Sequence, residues 1–216
     1  MRVGRIVDLS MPIRAGMPIY PGDPVPSVVE ATSFESDGFH VQHVRIGSHT
    51  GTHVDAPYHV EPTGPRLDAL DLRLFCGPGL VVDLTRLAPR SPIDWSALAP
   101  YAAHLRAGTI VLLHTGRGAA LDHPFLAVDA CRRLLALGAR TICTDALNID
   151  PTPQPDEPGN GLPVHHLIAR AGGIVGENFG NLDGIDFADP LISCLPIAIE
   201  GGDGAPVRAV AMELLP

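Results

Sequence analysis

The sequence predicts a mixed α/β fold, with a β-rich N-terminal part and a central βαβ unit. Short apolar runs separated by glycine and proline turns fill the N-terminal part of the chain, a pattern that favours short strands. Residues 109–113 form a continuous apolar run, as expected of a strand that is buried on both faces. An apolar pattern of helical spacing and a second run at residues 141–143 follow. Because such a crossover joins parallel strands, we expect these two strands to be parallel.

Length and composition describe an ordinary globular chain. At 216 residues the sequence is long enough for one substantial buried core, and we expect a single domain over residues 1–216. The hydrophobic fraction of 45% and the charged fraction of 18% are typical of globular proteins. The 23 glycines and 22 prolines predict many turns, but they follow no period, which excludes a collagen-like chain.

The charge and the cysteines restrict the partners and the type of site. A formal net charge of -9 argues against nucleic acid, since phosphate binding requires clustered lysine and arginine. No basic amphipathic helix, long apolar run or signal peptide is visible, so we expect no membrane association and a cytoplasmic location. The cysteines form no CxxC pair and are predicted to be buried thiols in strands and a helix; they are Cys76, Cys131, Cys143 and Cys194.

The N-terminal part is predicted to contain strands and one rigid loop. Three prolines and a glycine within residues 17–24 forbid a helix there and predict a surface loop. The turn signal Ser36-Asp37-Gly38 predicts that the runs on either side of it pair as a hairpin, which would carry the next segment at its end. The predicted strands cover residues 6–9, 28–34, 40–46 and 80–84.

Three helices are predicted in the rest of the chain. A helix predicted at 93–105 should be interrupted or end near Pro100, and a second at 128–135 should be closed by Gly138 in the left-handed conformation. A third is expected to begin at Pro163, because proline suits the first helical position, and to end at Gly172.

The C-terminal part is predicted to return to strands. Residues 174–176 form a strand that leads into Glu177, and residues 192–199 and 207–214 form a final antiparallel pair joined through Gly201-Gly202-Asp203-Gly204. Before these elements, residues 148–161 contain four prolines and no regular pattern, which is typical of a functional loop.

Candidate metal ligands crowd one short segment. Three histidines and an aspartate lie in His49-Thr50-Gly51-Thr52-His53-Val54-Asp55-Ala56-Pro57-Tyr58-His59. Neutral imidazole and carboxylate are standard ligands of zinc and manganese, and Gly51 allows the tight turn that brings them together. The alternative, surface histidines or histidines satisfied within the core, explains so close a group less well. The segment supplies only half of a metal centre, so further ligands must come from elsewhere in the chain.

On these residues the chain resembles the cyclase superfamily, which includes bacterial kynurenine formamidase and isatin hydrolase. The string His49-x-Gly51-Thr52-His53-x-Asp55-x-Pro57-x-His59 carries the resemblance. Weaker motifs extend it, in the family order, over nearly the whole chain: Tyr20-Pro21-Gly22-Asp23, the segment from His165 to Glu177-Asn178, and residues 202–208. The resemblance implies a swivelling β/β/α cyclase-like fold and a homodimer or homotetramer.

The resemblance also implies the division of roles within the site. His49, His53 and Asp55 would bind a first metal ion. Asp55 would bridge to a second ion, which His165 and Glu177 would complete, since a carboxylate has two oxygens and can hold two cations. The position of His59 corresponds to the proton-transfer histidine of the family.

Structural alternatives apply to several other residues. Glu177 could be a surface carboxylate, but the apolar run before it predicts burial, and buried carboxylates are usually paired or bound to metal. His166 is expected beside the site or facing solvent, and His114 and Asp145 are open between supporting the site and structural hydrogen bonding. Histidines expected to be structural are His40, His43, His104 and His123. The sequence has no GxSxG and no complete dinucleotide motif.

The implied activity is hydrolysis of the C–N bond in a small-molecule amide, formamide or lactam. Zn²⁺ or Mn²⁺, expected as two ions per subunit, would activate a hydroxide, and His59 would pass a proton to the leaving nitrogen. Tyr20 is expected at the pocket lip, where its ring can stack on a planar substrate. Kynurenine formamidases usually have tryptophan at this position, so the resemblance does not fix the substrate. A lyase or cyclase on the same centre and a catalytically silent metal-binding protein remain alternatives, the second disfavoured by His59.

Overall fold

The computed structural model describes residues 2–154, 157–159 and 161–216. Three residues of the predicted 148–161 loop, Pro155, Asp156 and Asn160, lie outside the described residues, as does Met1. The strands, in chain order, are β1 (Arg2–Asp8), β2 (Ser27–Thr32), β3 (Val41–Arg45), β4 (His53–Asp55), β5 (Cys76–Asp83), β6 (Pro92–Ile93), β7 (Ile110–His114), β8 (Phe125–Leu126), β9 (Thr141–Thr144), β10 (Ile174–Glu177), β11 (Leu191–Ser193), β12 (Gly204–Pro206) and β13 (Val210–Leu215). The α-helices are α1 (Phe34–Asp37), α2 (Trp95–Leu98), α3 (Val128–Ala136) and α4 (Pro163–Arg170). Short 3₁₀ helices lie at Pro57–His59, Leu67–Ala69, Leu72–Leu74, Ala99–His104 and Leu182–Gly184.

Within the described residues, a nine-stranded mixed sheet has the order β1-β13-β11-β5-β7-β9-β10-β4-β12. Its central strands β5, β7, β9 and β10 are parallel, and both flanks are antiparallel. Strands β7 and β9 pair in parallel with α3 between them in the chain, so the predicted mixed α/β class and βαβ unit are confirmed.

The central strands divide the core into two layers, because successive side chains of a strand point to opposite faces. In β7, Ile110 and Leu112 belong to one buried cluster, while Val111 and Leu113 belong to the other. Helices α3 and α4 cover the second face through residues such as Leu134. All four of these β7 side chains are fully buried, as the continuous apolar run predicted.

The predicted helix ends are also confirmed. Gly138, at φ 96°, follows α3, and its N–H donates to the carbonyl of Leu135. Pro163 opens α4 at a position where its missing N–H costs nothing, and Gly172 follows the helix at φ 69°. The predicted N-terminal hairpin is formed by β2 and β3, with the short helix α1 in its connection.

Three expectations need correction. The helix predicted at 93–105 is only α2 followed by the 3₁₀ helix Ala99–His104, because Pro100 cannot supply a helical N–H. Regular pairing in the final antiparallel pair stops at Ser193, and beyond it only Pro196 bridges to Val207. Cys76 is exposed at the start of β5, whereas Cys131, Cys143 and Cys194 are buried as predicted.

None of the described helices is long and apolar enough to cross a membrane.

The path of β12 positions the site. The glycine-rich segment before it is not a simple hairpin turn, since β12 pairs with β4 at the far edge of the sheet. Strand β4 therefore lies between β10 and β12, so three segments that are distant in the sequence meet at one edge.

Candidate metal centre

Strand β4 carries the centre of the site. The register aligns His53 with Glu177 of β10, and alternate residues of a strand share one face. His53 and Asp55 therefore point the same way, while Val54 between them enters the core cluster. Gly51 turns the chain into β4 at φ 68°. His53 is 2% exposed and Asp55 is 4% exposed.

Asp55 lies at the middle of the histidines. Its Oδ1 is 2.7 Å from Nδ1 of His49 and 3.3 Å from Nε2 of His53. Its Oδ2 is 3.3 Å from Nε2 of His165. Oδ1 therefore faces two imidazole nitrogens and Oδ2 faces a third, an arrangement that lets one carboxylate bind two cations.

Glu177 closes the other side of this group. Its Oε1 is 3.3 Å from Nε2 of His165, and its Oε2 is 3.6 Å from Nε2 of His53. Oε1 also accepts a hydrogen bond from the N–H of Ile149 at 2.9 Å. Glu177 is only 6% exposed, so the surface alternative for this carboxylate is wrong.

Backbone and carboxylate acceptors orient two of the imidazoles. Nδ1 of His53 lies 2.8 Å from the carbonyl oxygen of Gly51, and Nδ1 of His165 lies 2.8 Å from Oδ2 of Asp150. Both acceptors favour the proton on Nδ1, which would leave Nε2 free to bind a metal ion beside Asp55 and Glu177. Asp150 is fully buried and also accepts from two N–H groups at the start of α4, so it fixes the helix together with His165.

His49 and His59 form the more open side of the site. Nε2 of His49 lies 2.9 Å from Oδ2 of Asp203, and Nδ1 of His59 lies 3.6 Å from the same oxygen. The two rings are 4.1 Å apart between centroids. In the sequence Asp203 stood out only as part of a glycine-rich connection and of a weak family motif, and it was assigned no role.

The charges of the site are closely coupled. Burial opposes protonation of His49, but the carboxylates of Asp55 and Asp203 outweigh it and raise its pKa to about 10. Burial likewise opposes the Asp55 carboxylate, yet the neighbouring imidazoles hold its pKa well below the usual value. Burial lowers the pKa of His59. Without metal, the buried carboxylates are thus balanced by protons, which a divalent cation would replace.

The donor set fits a divalent metal. Donor atoms lie within 4.8 Å of one another in two overlapping sets, one of His49, Asp55 and His59 and the other of His53, Asp55 and Glu177. His165 joins both carboxylates of the second set. All of these groups are imidazoles or carboxylates, the ligands that zinc and manganese accept.

A cavity of about 170 Å³ opens beside these groups. Tyr20 and Asp23 of the N-terminal loop form one wall, with apolar surface from Ile19, Leu147 and Leu162. Burial raises the pKa of Tyr20, as does the nearby Glu177 carboxylate. Among the described residues that line the cavity there is no lysine or arginine.

The residues predicted from the sequence to form the site all line this one cavity; they are Tyr20, His49, His53, Asp55, His59, His165 and Glu177.

Asn178, which follows Glu177, was not assigned a role from the sequence. It lines the cavity, is buried and has a positive φ of 59°. Its Nδ2 donates to the carbonyl of Gly51, whereas its buried Oδ1 has no hydrogen-bond partner among the described residues. A buried acceptor without a partner beside a cavity indicates a place for a polar ligand or water.

Of the two residues left open by the sequence, Asp145 has structural hydrogen-bond partners, and His114 lies outside the cavity lining. Asp145 accepts hydrogen bonds from Thr115 and from the N–H of Gly116, so this carboxylate fixes the loop after β7.

Two other histidines contact residues outside the group of candidate ligands. Nδ1 of His166 lies 2.7 Å from Oε1 of Glu61, and His166 is outside the cavity lining. His123 is buried between the carbonyl of Pro124 and the hydroxyl of Thr152, as expected for a structural histidine.

Comparison with known proteins gives a family match over about two thirds of the chain and relatives that match nearly all of it. A sequence model of the family described as "Putative cyclase" matches residues 7–151. Kynurenine formamidase of Bacillus cereus is 30% identical, over 97% of this chain and 98% of its own length.

Solved structures match equally completely. One described as a potential metal-dependent hydrolase with cyclase activity is 28% identical, with a TM-score of 0.78, over 98% of this chain and 99% of its own. An isatin hydrolase bound to the product analogue thioisatinate is 22% identical, with a TM-score of 0.85, over 97% of this chain and 92% of its own. At that identity the second likeness shows the fold alone, which is the cyclase-like fold that the motifs implied.

Proposed function

Because this chain belongs to the cyclase family, we propose that it is a metal-dependent hydrolase of a small non-peptide amide, such as a formamide or a lactam. The observation that carries the proposal is the meeting of two buried carboxylates and three imidazoles at one small cavity. A relative named kynurenine formamidase, 30% identical over nearly the whole chain, supports the choice of an amide C–N bond. We assign this activity to a single domain over residues 1–216.

The proposed ligands divide into two sets that share Asp55. His49, His53 and Asp55 would hold one ion, and Asp55, His165 and Glu177 a second, with zinc or manganese in both positions. Burial and the outer hydrogen bonds to Gly51 and Asp150 support His53 and His165 as ligands, since they orient the ligand atoms before metal binds. When bound, the metals would polarise the substrate carbonyl and lower the pKa of water.

His59 is proposed to move the proton of the reaction. It lines the cavity beside His49, and burial holds its pKa below the ordinary value, so it is neutral near pH 7. A neutral imidazole can accept a proton from water and then donate it to the leaving nitrogen. That nitrogen would otherwise leave as a strongly basic anion.

The cavity supports a small and largely apolar substrate. Its volume of about 170 Å³ suits a molecule of one or two rings, and Tyr20, Ile19 and Leu162 offer apolar surface to such a ring. If the formyl or lactam carbonyl of the substrate lies beside Asp55 and Glu177, the rings of the substrate would lie against these side chains.

A substrate screen with metal exchange tests the proposal. Protein stripped with a chelator should be inactive, and Zn²⁺ or Mn²⁺ should restore hydrolysis of at least one of N-formylkynurenine, isatin or a simple aryl formamide. Full activity of the metal-free protein would contradict the proposal. Non-hydrolytic turnover of the same compounds would point to lyase or cyclase chemistry instead.

We also propose that the chain forms a homodimer or homotetramer through the hairpin of β2 and β3, here named the arm. Val29 is 54% exposed and Val44 is 51% exposed, and their register places them on opposite faces of the arm. Phe34, in the connection, is 74% exposed. Because a lone two-stranded hairpin is marginally stable, contact with a second subunit would account for its apolar residues.

A further inference from the structure

One carboxylate oxygen of Asp203 lies close to two histidines that have different proposed roles. Oδ2 of Asp203 lies 2.9 Å from Nε2 of His49 and 3.6 Å from Nδ1 of His59. His49 is a proposed ligand and His59 the proposed proton carrier. Both line the cavity, whereas Asp203 is not among the described residues that do so. Asp203 is therefore placed to act on the reaction through these two rings.

The orientation of His49 makes the contact with Asp203 specific. Its Nδ1 faces Asp55, at 2.7 Å, while its Nε2 faces Asp203. If Nδ1 binds metal, Nε2 must carry the proton of the neutral ring and donate it to Asp203. A carboxylate in this place fixes both the tautomer and the ring angle of a ligand histidine.

The same carboxylate suits the ring of His59. An acceptor near Nδ1 favours the tautomer with the proton on that nitrogen, which leaves Nε2 free to accept a proton. The distance of 3.6 Å is long for a hydrogen bond, but such contacts often shorten when a site is loaded.

The backbone holds Asp203 rigidly against the motif. Its carbonyl oxygen accepts a hydrogen bond from the N–H of Ala56 at 2.8 Å, and the next residue, Gly204, is aligned with Asp55 in the β12–β4 register. A Cβ at Gly204 would lie 2.8 Å from Cε1 of His49 and 2.8 Å from the carbonyl oxygen of Val54. The ring of His49 thus packs directly on a glycine, and the neighbouring carboxylate binds its outer nitrogen.

We infer that Asp203 is a positioning residue that holds the ligand His49 and the proton carrier His59 in a fixed relation, an inference that rests on the proposed function. The shared oxygen couples metal binding to proton transfer. A change at Asp203 should therefore alter both, whereas the loss of His59 should alter proton transfer alone.

The test compares Asp203→Asn with Glu200→Gln, a matched carboxylate-to-amide change at an exposed position of the same loop. Titration of the metal-free proteins with Zn²⁺, followed by calorimetry, should show a Kd about 10–100-fold higher for Asp203→Asn, the usual cost of losing an outer carboxylate. Glu200→Gln should bind Zn²⁺ like the wild type. Because the side chain of Asp203 is 38% exposed, its replacement leaves no buried cavity. Asp203→Ser serves as a second variant if the amide disturbs the loop.

A second measurement separates positioning from general damage. With Zn²⁺ saturating, Asp203→Asn should lower kcat about 10-fold or more with little change in KM, and it should have no further effect on kcat in a His59→Ala background. Equal Zn²⁺ affinity of Asp203→Asn and Glu200→Gln would overturn the inference while leaving the proposed hydrolase intact. Undiminished kcat of Asp203→Asn at saturating Zn²⁺ would also overturn it. Wild-type protein that binds no metal at all would overturn the proposed function and this inference with it.

Discussion

His53 and Glu177 are partners across the β4–β10 ladder, with 3.6 Å between Nε2 of the histidine and Oε2 of the glutamate. The antiparallel register, rather than proximity in the sequence, brings these side chains together. His165 reaches the same glutamate from α4, at 3.3 Å. The second half of the site is therefore supplied by a strand and a helix that follow one another in the chain but approach the motif from different directions.

Asp55→Asn should remove the link between the two proposed ion positions. The amide has nearly the shape of the carboxylate but carries no charge. Loss of a partner that only supports a ligand lowers metal affinity about 10–100-fold. Because Asp55 is itself a proposed ligand, we expect the affinity for Zn²⁺ to fall by at least about 100-fold and the metal content of the purified protein to fall with it. Elemental analysis and Zn²⁺ titration of purified protein measure the effect. Asp94→Asn, at an exposed carboxylate outside the cavity lining, is the control and should retain full metal content. Undiminished metal in Asp55→Asn would contradict the bridging role.

His59→Ala should separate catalysis from metal binding. We expect kcat to fall about 100-fold or more, the usual contribution of acid–base catalysis, while the bound metal stays at the wild-type level. Steady-state kinetics and elemental analysis of the same preparation give both values, with the exposed His104→Gln as the control. Because His59 also lies within reach of His49 and Asp55, loss of metal in His59→Ala would show instead that it is a ligand.

Gly204→Ala should destabilise the protein. The added methyl group would meet the ring of His49 and the carbonyl oxygen of Val54, both at 2.8 Å. The carbonyl of Val54 belongs to β4, and the ring of His49 is held between Asp55 and Asp203. Overpacking of this kind costs about 1–3 kcal/mol in the free energy of unfolding. Denaturant unfolding measures it against Gly180→Ala, where the nearest atom would be 3.9 Å away. Equal stability of the two variants would show that His49 is not packed on Gly204.

Val44→Asp should dissociate the proposed oligomer. A charge on the exposed face of β3 would be buried without a partner if a second subunit covers the arm, which is unfavourable. Light scattering after size-exclusion chromatography should then show a lower mass than for the wild type. Val3→Asp is the matched control, since Val3 is 50% exposed on β1, which belongs to the nine-stranded sheet rather than to the arm. An unchanged mass for Val44→Asp, or a monomeric wild type, would rule out assembly through the arm.

The sequence alone determined the features that depend on local patterns. The apolar run that became β7, the helices α3 and α4 with their glycine and proline ends, and the hairpin of the arm follow from residue periodicity and turn chemistry. The cluster from His49 to His59 was visible for the same reason, because ligand type and spacing are local. The motif order also pointed to His165 and Glu177, which the structure places in the same cavity.

Only the tertiary structure decided which distant segments meet. Asp203 was read as part of a glycine-rich turn, but β12 pairs with β4 and carries that carboxylate to His49 and His59. Asp150 lay within a loop without a regular pattern, yet it orients His165 and fixes the start of α4. The register of a sheet depends on contacts across the whole chain, whereas propensity acts only between neighbours. The ligand residues of the site can therefore be recognised in the sequence. The carboxylates that orient them, Asp150 and Asp203, are brought to the site by the fold.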